Sequence, residues 1–387
     1  MTNPFEFGRE LSALEIVDRE EEVGQVVQTI METGRLFVIG PRRFGKTSIL
    51  RAAAEKANAS GAVVFRYNAE AYPNLTVLSE RIVADAAAHL TGPVRKAGRR
   101  IQEIFGSLRP QVTYDPIGDQ FAVSLATEMK HQAGPALLSE TLAGLDALAA
   151  SSKKPVAVII DEFQKIVEDD GVQAEGQLRA AVQAHDHVGY VFAGSKTRLL
   201  SEMTGDEGRP FYRLGSRLFI GPVPRDDFQR FISAGFSDAG LYIEPDGISE
   251  ILDRADDVPY NVQRLAHACW TEAQARKAPV TPEIVKRVLE TLVRRDDPFY
   301  TQIWNRTSPT QKQALLAIAN EEGSGAGLFS AEVLQAYGVK SVSTMRTAAQ
   351  ALVSNGIARE EERGGKTAYR LEDPFFAVWL ALFIAHP

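Results

Sequence analysis

Short runs of consecutive apolar residues recur along residues 1–222, and longer stretches rich in Ala and Leu separate them. The runs are Leu36–Ile39, Val63–Phe65, Val156–Ile160, Tyr190–Ala193 and Leu218–Ile220. Continuous apolar strands that alternate with helices are typical of a parallel sheet covered by helices on both faces. The pattern therefore predicts an α/β fold, a three-layer αβα sandwich around a parallel five-stranded sheet.

The other segments have different patterns. Residues 73–150 have helical composition and contain a polar loop, RPQVTYDPIGDQF. Residues 223–300 predict a helical subdomain. Residues 301–387 show three helical patterns and then an alternating stretch, IAREEERGGKTAYRLE, whose Gly pair is a hairpin signal. Three helices and a hairpin make a winged helix, so we predict three domains, 1–222, 223–300 and 301–387, in agreement with the length of 387 residues.

Composition narrows the class of protein. Hydrophobic residues make up 44% and charged residues 24% of the chain, which is typical of a folded globular protein. The 43 Lys and Arg against 50 Asp and Glu give a net charge of −7, which argues against a surface that is basic throughout but leaves a local basic patch open. The single cysteine, Cys269, excludes an intramolecular disulfide and a Cys-rich zinc site.

Neither end of the chain predicts a membrane partner. The N-terminal MTNPFEFGRE has acids and no apolar core, unlike a secretory signal. The longest apolar run, from Phe375 to Ala385, is too short to span a bilayer and is typical of a buried helix. We therefore expect a cytoplasmic protein.

The segment GPRRFGKT matches the phosphate-binding pattern G-x-x-x-x-G-K-[ST] and lies between an apolar strand and a helical run. Its glycines let successive N–H groups converge on phosphate oxygens, Lys46 would reach the β- and γ-phosphates, and the Thr47 hydroxyl would bind Mg²⁺. A chance Gly-rich turn is the alternative, and Arg42 and Arg43 are either anion contacts or surface charges. The candidate nucleotide-binding residues are Gly40, Pro41, Arg42, Arg43, Phe44, Gly45, Lys46, Thr47 and Ser48.

Two acids follow the apolar strand VAVII. Asp161 at the carboxyl end of that strand would hold Mg²⁺, and Glu162 would act as general base on the attacking water. The alternative is an acidic helix N-terminus after a strand. A phosphate-binding loop upstream favours the metal and base roles.

A third strand, in YVFAGSKTRLL, ends in Gly-Ser. Ser195 there would orient the lytic water or sense the γ-phosphate, or else cap the next helix. Arginines 209, 213 and 217 cluster before the last strand, and Arg213 is the best candidate to stabilise charge on the phosphate, from its own subunit or from a neighbour. The alternative for each of them is an ordinary surface arginine.

Together these segments resemble the archaeal-type ATPase family, in the STAND branch of AAA+-like P-loop ATPases. VDREEEV resembles its arginine–glutamate box, which implies that Arg19 lies near adenine, although Asp18 stands where Gly is usual. GPRRFGKTS, IIDEFQKI and AGS match its phosphate loop, its second motif and its sensor strand. Before the last strand the family tends to have Gly-Arg, whereas this chain has Arg213-Leu214.

The resemblance extends over most of the chain. DDVPYNVQRLAHACW is similar to the family's Gly-x-Pro segment, with Asp257 in place of Gly, and implies that Pro259 lies over the nucleotide. Arg264 is either a second sensor or a solvent-facing arginine. The resemblance also implies a strand order of 5-1-4-3-2 and a C-terminal winged helix that closes with LEDPFFAVWL.

Winged helices frequently bind DNA through the helix before the wing. Here that helix would present Ser343, Thr344, Arg346, Thr347 and Gln350, and the wing Arg359, Arg363, Lys366 and Arg370. Residues 301–387 nevertheless contain eight Lys and Arg against eight Asp and Glu, so their net charge is zero. A neutral domain lacks the basic surface on which DNA affinity depends, and protein contacts are an equal alternative.

We therefore predict an ATPase (ATP with Mg²⁺) that acts as a switch coupled to the winged helix. A nucleotide-regulated DNA-binding protein with little turnover is the main alternative, and a protein-interaction adaptor is a third. ATP rather than GTP follows from the resemblance, since no Asn-Lys-x-Asp guanine motif is present. A nucleotide-dependent homo-oligomer is also open.

Overall fold

The computed structural model describes residues 2–12, 15–91, 94–115, 120–125, 134–321, 327–363 and 366–384. The chain divides into two compact units. The sheet unit comprises Glu10–Pro41 and Lys46–Gly221, and the C-terminal unit comprises Met1–Arg9, Arg42–Gly45 and Pro222–Pro387. Four residues of the phosphate-loop segment therefore cluster with the C-terminal part of the chain.

The described strands form one large sheet and two hairpins. They are β1 (Arg35–Ile39), β2 (Val63–Asn68), β3 (Pro110–Asp115), β4 (Gln120–Leu125), β5 (Val156–Asp161), β6 (Val188–Gly194), β7 (Ser216–Phe219), β8 (Ala358–Arg363) and β9 (Lys366–Leu371). The large sheet is parallel, in the order β2-β5-β6-β1-β7, and β3-β4 and β8-β9 are antiparallel pairs. The five predicted strands and their implied order are confirmed.

Helices cover both faces of this sheet. Those of the sheet unit are α1 (Glu20–Met31), α2 (Lys46–Ala59), α3 (Leu75–Leu90), α4 (Val94–Ile104), α5 (Gly134–Ala149), α6 (Gln164–Ala184, broken at Gly171) and α7 (Thr197–Gly205), with short 3₁₀ turns at Ala69–Ala71 and Gly106–Leu108. Every residue of β5 and β6 is buried, as expected for central strands of a doubly covered sheet. One face packs on α3, α5 and α6, and α1 and α2 pack on the other.

The polar loop expected near residue 110 is wrong in part. Residues Pro110–Asp115 and Gln120–Leu125 pair as the antiparallel hairpin β3-β4, with Val112 opposite Val123. Residues 116–119 of that segment lie outside the described residues. Apolar positions at every second residue, Phe121, Val123 and Leu125, carried the strand signal, which the polar composition of the segment obscured.

The C-terminal unit is helical apart from its hairpin. Its helices are α8 (Arg225–Ser237), α9 (Pro245–Arg254), α10 (Pro259–Arg276), α11 (Pro282–Arg295), α12 (Asp297–Arg306), α13 (Pro309–Glu321), α14 (Ala331–Ala336), α15 (Val342–Ser354) and α16 (Pro374–Phe383). Helices α13, α14 and α15 followed by β8 and β9 confirm the winged helix, while the Gly364-Gly365 pair lies outside the described residues. Among the described helices, none has the length and apolarity that a membrane crossing requires.

Candidate functional site

The phosphate-loop segment runs from the end of β1 to the start of α2. Lys46 is the first residue of α2, its side chain is buried, and its Nζ donates to the Pro41 carbonyl oxygen at 2.8 Å. Arg43 and Gly45 have left-handed backbones, with φ of 69° and 86°. The turn thus curls as the motif predicts. The hydroxyl of Ser48, which follows the motif, accepts a hydrogen bond from the Leu11 N–H at 3.0 Å.

Gly40 is explained by a close approach of the chain. A Cβ on Gly40 would lie 2.6 Å from the Ile220 carbonyl oxygen and 2.9 Å from the Ile220 Cβ. Ile220 is held there because its N–H donates to the Ile39 carbonyl oxygen at 2.7 Å. A side chain at position 40 would therefore push apart the ends of β1 and β7, which Gly40 and Ile220 follow directly.

The Thr47 hydroxyl donates to Asp161 Oδ2 at 2.7 Å. Burial, together with the nearby charge of Glu162, raises the pKa of Asp161, although the Thr47 hydrogen bond and the Lys46 charge oppose this. A divalent cation would favour the ionised carboxylate. One hydroxyl and one carboxylate fit Mg²⁺, which takes few protein oxygens and completes its shell with water and phosphate. The described residues contain no group of three or more His, Cys, Asp or Glu that could hold a metal by themselves.

Glu162 follows β5 directly, with a left-handed backbone (φ 51°). Its carboxylate Oε2 accepts the Ser195 hydroxyl at 2.8 Å, and Gln164 Nε2 donates to the same oxygen. The alternative in which Ser195 caps the next helix is not observed, because Lys196 is the N-cap residue of α7 and the hydroxyl points to Glu162. The predicted base and the predicted sensor serine are therefore in direct contact. Gln164 belongs to the segment IIDEFQKI that the sequence matched to the family's second motif, but sequence reasoning assigned it no role.

Arg19 is buried at the start of α1 and bridges two elements of the sheet unit. Its guanidinium pairs with Glu22 at 2.6 Å and donates to the Gly221 carbonyl oxygen at 2.5 Å. It thereby ties α1 to the segment that follows β7.

The three arginines in and before β7 have different surroundings. Arg209 forms an ion pair with Glu175, which is fully buried, and so has a structural partner. Arg213 is exposed, has a φ of 53° and lies over the Tyr212 ring at 5.0 Å. Arg217 is exposed on the edge strand β7 and lies over the Phe219 ring at 5.8 Å. Arg213 and Arg217 are thus exposed to solvent, whereas the Arg209 guanidinium is held by Glu175.

Within the C-terminal unit, the loop tip contacts both the helical subdomain and the winged helix. Arg43 pairs with Asp373 at 2.8 Å and lies over the Tyr260 ring at 5.0 Å. The Tyr260 N–H donates to the Arg43 carbonyl oxygen at 3.3 Å. Phe44 is buried, with the Arg359 guanidinium 5.7 Å from its ring centre. The alternative that Arg43 is only a surface charge is therefore not observed. Arg42, in contrast, is exposed.

Asp373 organises this contact. It lies in the closing segment LEDPFFAVWL, to which sequence reasoning assigned no site role. Its carboxylate caps α16 by accepting the Phe375 N–H, and it also accepts Asn261 Nδ2 at 2.9 Å and the Tyr300 hydroxyl at 3.1 Å. Burial lowers the pKa of Arg43, but the charge and hydrogen bonding of Asp373, together with Tyr260 and Tyr300, outweigh this, and the net shift is upward. The sequence signal was Asp before Pro, which is typical of a helix start and gives no indication of the remote partners.

Pro259 and Arg264 both lie on α10. Pro259 is its first residue, where a missing N–H costs nothing. Arg264 pairs with Asp296 at 2.6 Å and lies over the Phe375 ring at 5.8 Å, so it is not the solvent-facing arginine that the sequence left open.

The wing arginines are mostly engaged inside the C-terminal unit. Arg359 is buried and pairs with Asp256 at 2.8 Å and Glu361 at 2.9 Å. Arg370 also pairs with Asp256, and with Glu361 at 3.3 Å. The side chains of Arg363 and Lys366 lie outside the described residues. On α15, four of the five predicted DNA-facing residues are exposed and Thr344 is half-buried.

The fold, the phosphate loop and the paired acids define a P-loop ATPase domain that is followed by a winged helix. A family model described as an ATPase domain predominantly from Archaea matches residues 16–246, and one described as a probable winged helix domain matches residues 298–382. The chain belongs to this archaeal-type ATPase family, as the sequence motifs indicated.

Solved structures agree on the fold. The Walker-type ATPase of Pyrococcus abyssi is 18% identical, with a TM-score of 0.62 over 98% of this chain and 99% of that one. The ORC2 protein of Aeropyrum pernix, solved in ADPNP–ADP complexes, is 14% identical, with a TM-score of 0.53 over 96% and 95%. No curated protein sequence matches this chain significantly.

Proposed function

We propose that this protein binds ATP with Mg²⁺ and hydrolyses it, and that its nucleotide state is coupled to the winged helix. The observation that carries the proposal is the constellation in the sheet unit, where the Thr47 hydroxyl contacts Asp161 and the Ser195 hydroxyl contacts Glu162. Strands β5 and β6, which are neighbours in the sheet, deliver the acids and the serine at the same edge. Ligands of open α/β sheets bind at this carboxyl edge.

Each side chain then has a chemical task. Lys46 leaves the Pro41 carbonyl to pair with the β- and γ-phosphates, and the N–H groups of the turn donate to phosphate oxygens. Thr47 and Asp161 would hold Mg²⁺, which when bound would supply Lewis-acid stabilisation of phosphate charge. Glu162 accepts a proton from the attacking water, and Ser195 orients the carboxylate. Arg213 remains the candidate for stabilising charge on the γ-phosphate.

Three residues outside the loop stay predicted nucleotide contacts, Arg19 in the sheet unit and Pro259 and Arg264 in the C-terminal unit. Arg19 fixes the start of α1, where the family's adenine side lies, and Pro259 opens α10 beside the loop tip. Arg264 serves as a second sensor, exchanging Asp296 for a phosphate. The ORC2 protein of Aeropyrum pernix was solved with ADPNP and ADP, which supports an adenine nucleotide here.

The coupling to the winged helix rests on contacts within the C-terminal unit. Arg43 and Phe44, both from the phosphate loop, contact Asp373 and Arg359 of the winged helix. A phosphate on the loop is a second anion for Arg43 and so competes with Asp373. The three domains at 1–222, 223–300 and 301–387 stay a prediction, and in this proposal the winged helix is the part that responds.

The DNA-binding alternative has weaker support. Two of the four wing cations, Arg359 and Arg370, are neutralised by Asp256 and Glu361. Contacts to a protein therefore suit this module better than contacts to duplex DNA. A cytoplasmic location and a nucleotide-dependent homo-oligomer remain predictions.

Two substitutions test the proposal. Lys46→Ala should abolish binding of labelled ATP in the presence of Mg²⁺, because the loop loses its charge for the phosphates. Glu162→Gln should keep ATP binding and reduce phosphate release at least about hundredfold, a typical loss for a general base. Unchanged phosphate release in Glu162→Gln refutes hydrolysis by this site, and ATP binding that survives Lys46→Ala refutes the phosphate loop.

A further inference from the structure

A glutamine that belongs to neither the phosphate loop nor the acidic pair is in direct contact with the proposed base. Gln164, the first residue of α6, is almost completely buried. Its Nε2 donates to Glu162 Oε2 and lies 3.4 Å from the Ser195 hydroxyl oxygen. Glutamine, serine and glutamate therefore form a closed triangle of hydrogen bonds around one carboxylate oxygen.

The carbonyl oxygen of the same amide lowers the stability of the folded state. Gln164 Oε1 is buried and has no hydrogen-bond partner among the described residues. An unsatisfied buried carbonyl costs free energy that an apolar side chain of the same size would not incur. Packing alone therefore does not explain a glutamine here, whereas its N–H donors do.

The end of strand β6 is shaped around this amide. A Cβ on Gly194 would lie 2.0 Å from Gln164 Oε1 and 2.6 Å from Leu200 Cδ1. Any residue other than glycine at position 194 would displace the glutamine. The Gly-Ser pair that ends the strand thus supplies both the space for Gln164 and the hydroxyl of Ser195.

Glu162 itself needs such support. Its left-handed backbone is a strained conformation for a non-glycine residue, and such strain concentrates at functional sites. The Glu162 N–H donates to Asp161 Oδ1 at 2.9 Å, and the next N–H, of Phe163, donates to the Ala193 carbonyl oxygen at 2.8 Å. These bonds fix the backbone, and Gln164 and Ser195 fix the side chain.

We infer that Gln164 is a positioning residue for hydrolysis, holding the Glu162 carboxylate together with Ser195 so that it can accept a proton from the attacking water. The inference rests on the proposed ATPase function. Gln164 acts through Glu162 and touches neither the nucleotide nor the metal in this role. A misplaced base loses rate without losing substrate affinity, because the carboxylate acts in the chemical step.

Gln164→Met keeps the size of the side chain and removes the donors. We expect kcat for ATP hydrolysis to fall about tenfold or more, with KM and the Kd for ATP unchanged within about twofold. The matched control is Gln263→Met, which replaces another buried glutamine whose Oε1 has no partner among the described residues. Thermal unfolding of both variants shows whether the folded state is retained.

A double-mutant cycle separates positioning from a structural role. In the Glu162→Gln background, Gln164→Met should change kcat by less than about twofold, because the group that it positions is already gone. An equal loss in both backgrounds overturns the inference, as does a rise in KM that matches the loss in kcat/KM.

Ser195→Ala, with Ser79→Ala as the matched control at another buried serine, provides the second variant if Gln164→Met does not fold. Its loss of kcat should also disappear in the Glu162→Gln background, and persistence there overturns the triangle. These outcomes differ from failure of the proposed ATPase function. In that case Glu162→Gln alone would release phosphate from ATP as fast as the wild type.

Discussion

Replacing Asp373 by Asn tests the coupling between the winged helix and the phosphate loop. The substitution keeps the shape of the side chain and a good helix cap, since Asn and Asp cap equally well. It removes the negative charge that faces Arg43 at 2.8 Å. An amide oxygen in place of Oδ1 can still accept the Phe375 and Asn261 N–H groups. Oδ2, which faces Arg43, becomes an amide nitrogen, so the Tyr300 hydroxyl loses its acceptor. The main changes are therefore the loss of the carboxylate charge beside Arg43 and of the Tyr300 acceptor.

The magnitude follows from the environment of the pair. The Asp373 side chain is 13% exposed and that of Arg43 is 31% exposed, so the pair is neither fully buried nor a surface ion pair. Charges about 4 Å apart attract by about 4 kcal/mol at an effective dielectric constant of about 20. Desolvation and solvent screening offset about half of this, so we expect a loss of about 2 kcal/mol in the free energy of unfolding.

The affinity for ATP should change in the opposite direction. Once Asp373 no longer competes for Arg43, the guanidinium is available to phosphate. If most of the released energy is transferred, the Kd for ATP falls about tenfold, which corresponds to about 1.4 kcal/mol. Fluorescent ATP titration measures this change, and denaturant unfolding measures the stability loss.

Asp297→Asn is the matched control. Asp297 accepts the Trp379 indole N–H at 2.8 Å and the Thr301 hydroxyl at 3.1 Å, so its loss perturbs the same region. We expect lower stability and unchanged ATP affinity for this variant. In an Arg43→Met background, Asp373→Asn should leave the Kd for ATP unchanged. Weaker ATP binding in Asp373→Asn, or an effect that persists without Arg43, refutes competition between the carboxylate and the phosphate.

Three further predictions follow from individual residues. Full-length protein should show little retention of duplex DNA in fluorescence anisotropy, because Arg359 and Arg370 are already paired; binding that weakens steeply between about 50 and 200 mM salt would contradict this. Burial raises the pKa of Asp161, so ionisation of this carboxyl lowers the stability of the folded state as the pH rises through its folded-state pKa. Without Mg²⁺, Asp161→Asn should therefore unfold at a higher temperature than wild type near pH 8, and the difference should vanish in acid. The same variant should lose the stabilisation that Mg²⁺ and ATP give the wild type. Arg213→Gly should raise the free energy of unfolding by about 1 kcal/mol, because Gly tolerates the left-handed backbone. If Arg213 stabilises the γ-phosphate, the same variant loses ATP turnover, and unchanged turnover removes Arg213 from the site.

Local signals made the strands and the phosphate loop predictable. A buried parallel strand needs a continuous apolar run, and a phosphate loop needs its glycines and lysine in one short segment, so both are visible in neighbouring residues. The hairpin β3-β4 was missed because its alternating pattern lies in a polar segment. The partners of Arg43 and Glu162 were not predicted as partners, since no local pattern relates Asp373 to a loop more than 300 residues earlier.

The departures from the family pattern have a common backbone explanation. Asp18, Arg213 and Asp257 stand where the family usually has glycine, and all three have positive φ, at 45°, 53° and 53°. Left-handed backbone favours glycine because a Cβ approaches the following carbonyl oxygen. The chain therefore has left-handed turns at these three positions without the glycine that adopts this conformation at no steric cost. Asp257 recovers part of this cost by accepting a hydrogen bond from Arg225 at 2.9 Å.

The same physics links the two proposals. Two further non-glycine residues with left-handed backbones, Arg43 and Glu162, lie inside the motifs themselves. Each has its side chain held by a residue outside the phosphate loop and the acidic pair: Asp373 holds Arg43, and Gln164 together with Ser195 holds Glu162. Strain at a functional residue persists only when the surroundings determine it. The holding residues therefore set how readily the motif residues act, and substitutions at Asp373 and Gln164 should alter affinity and turnover separately while the motifs remain intact.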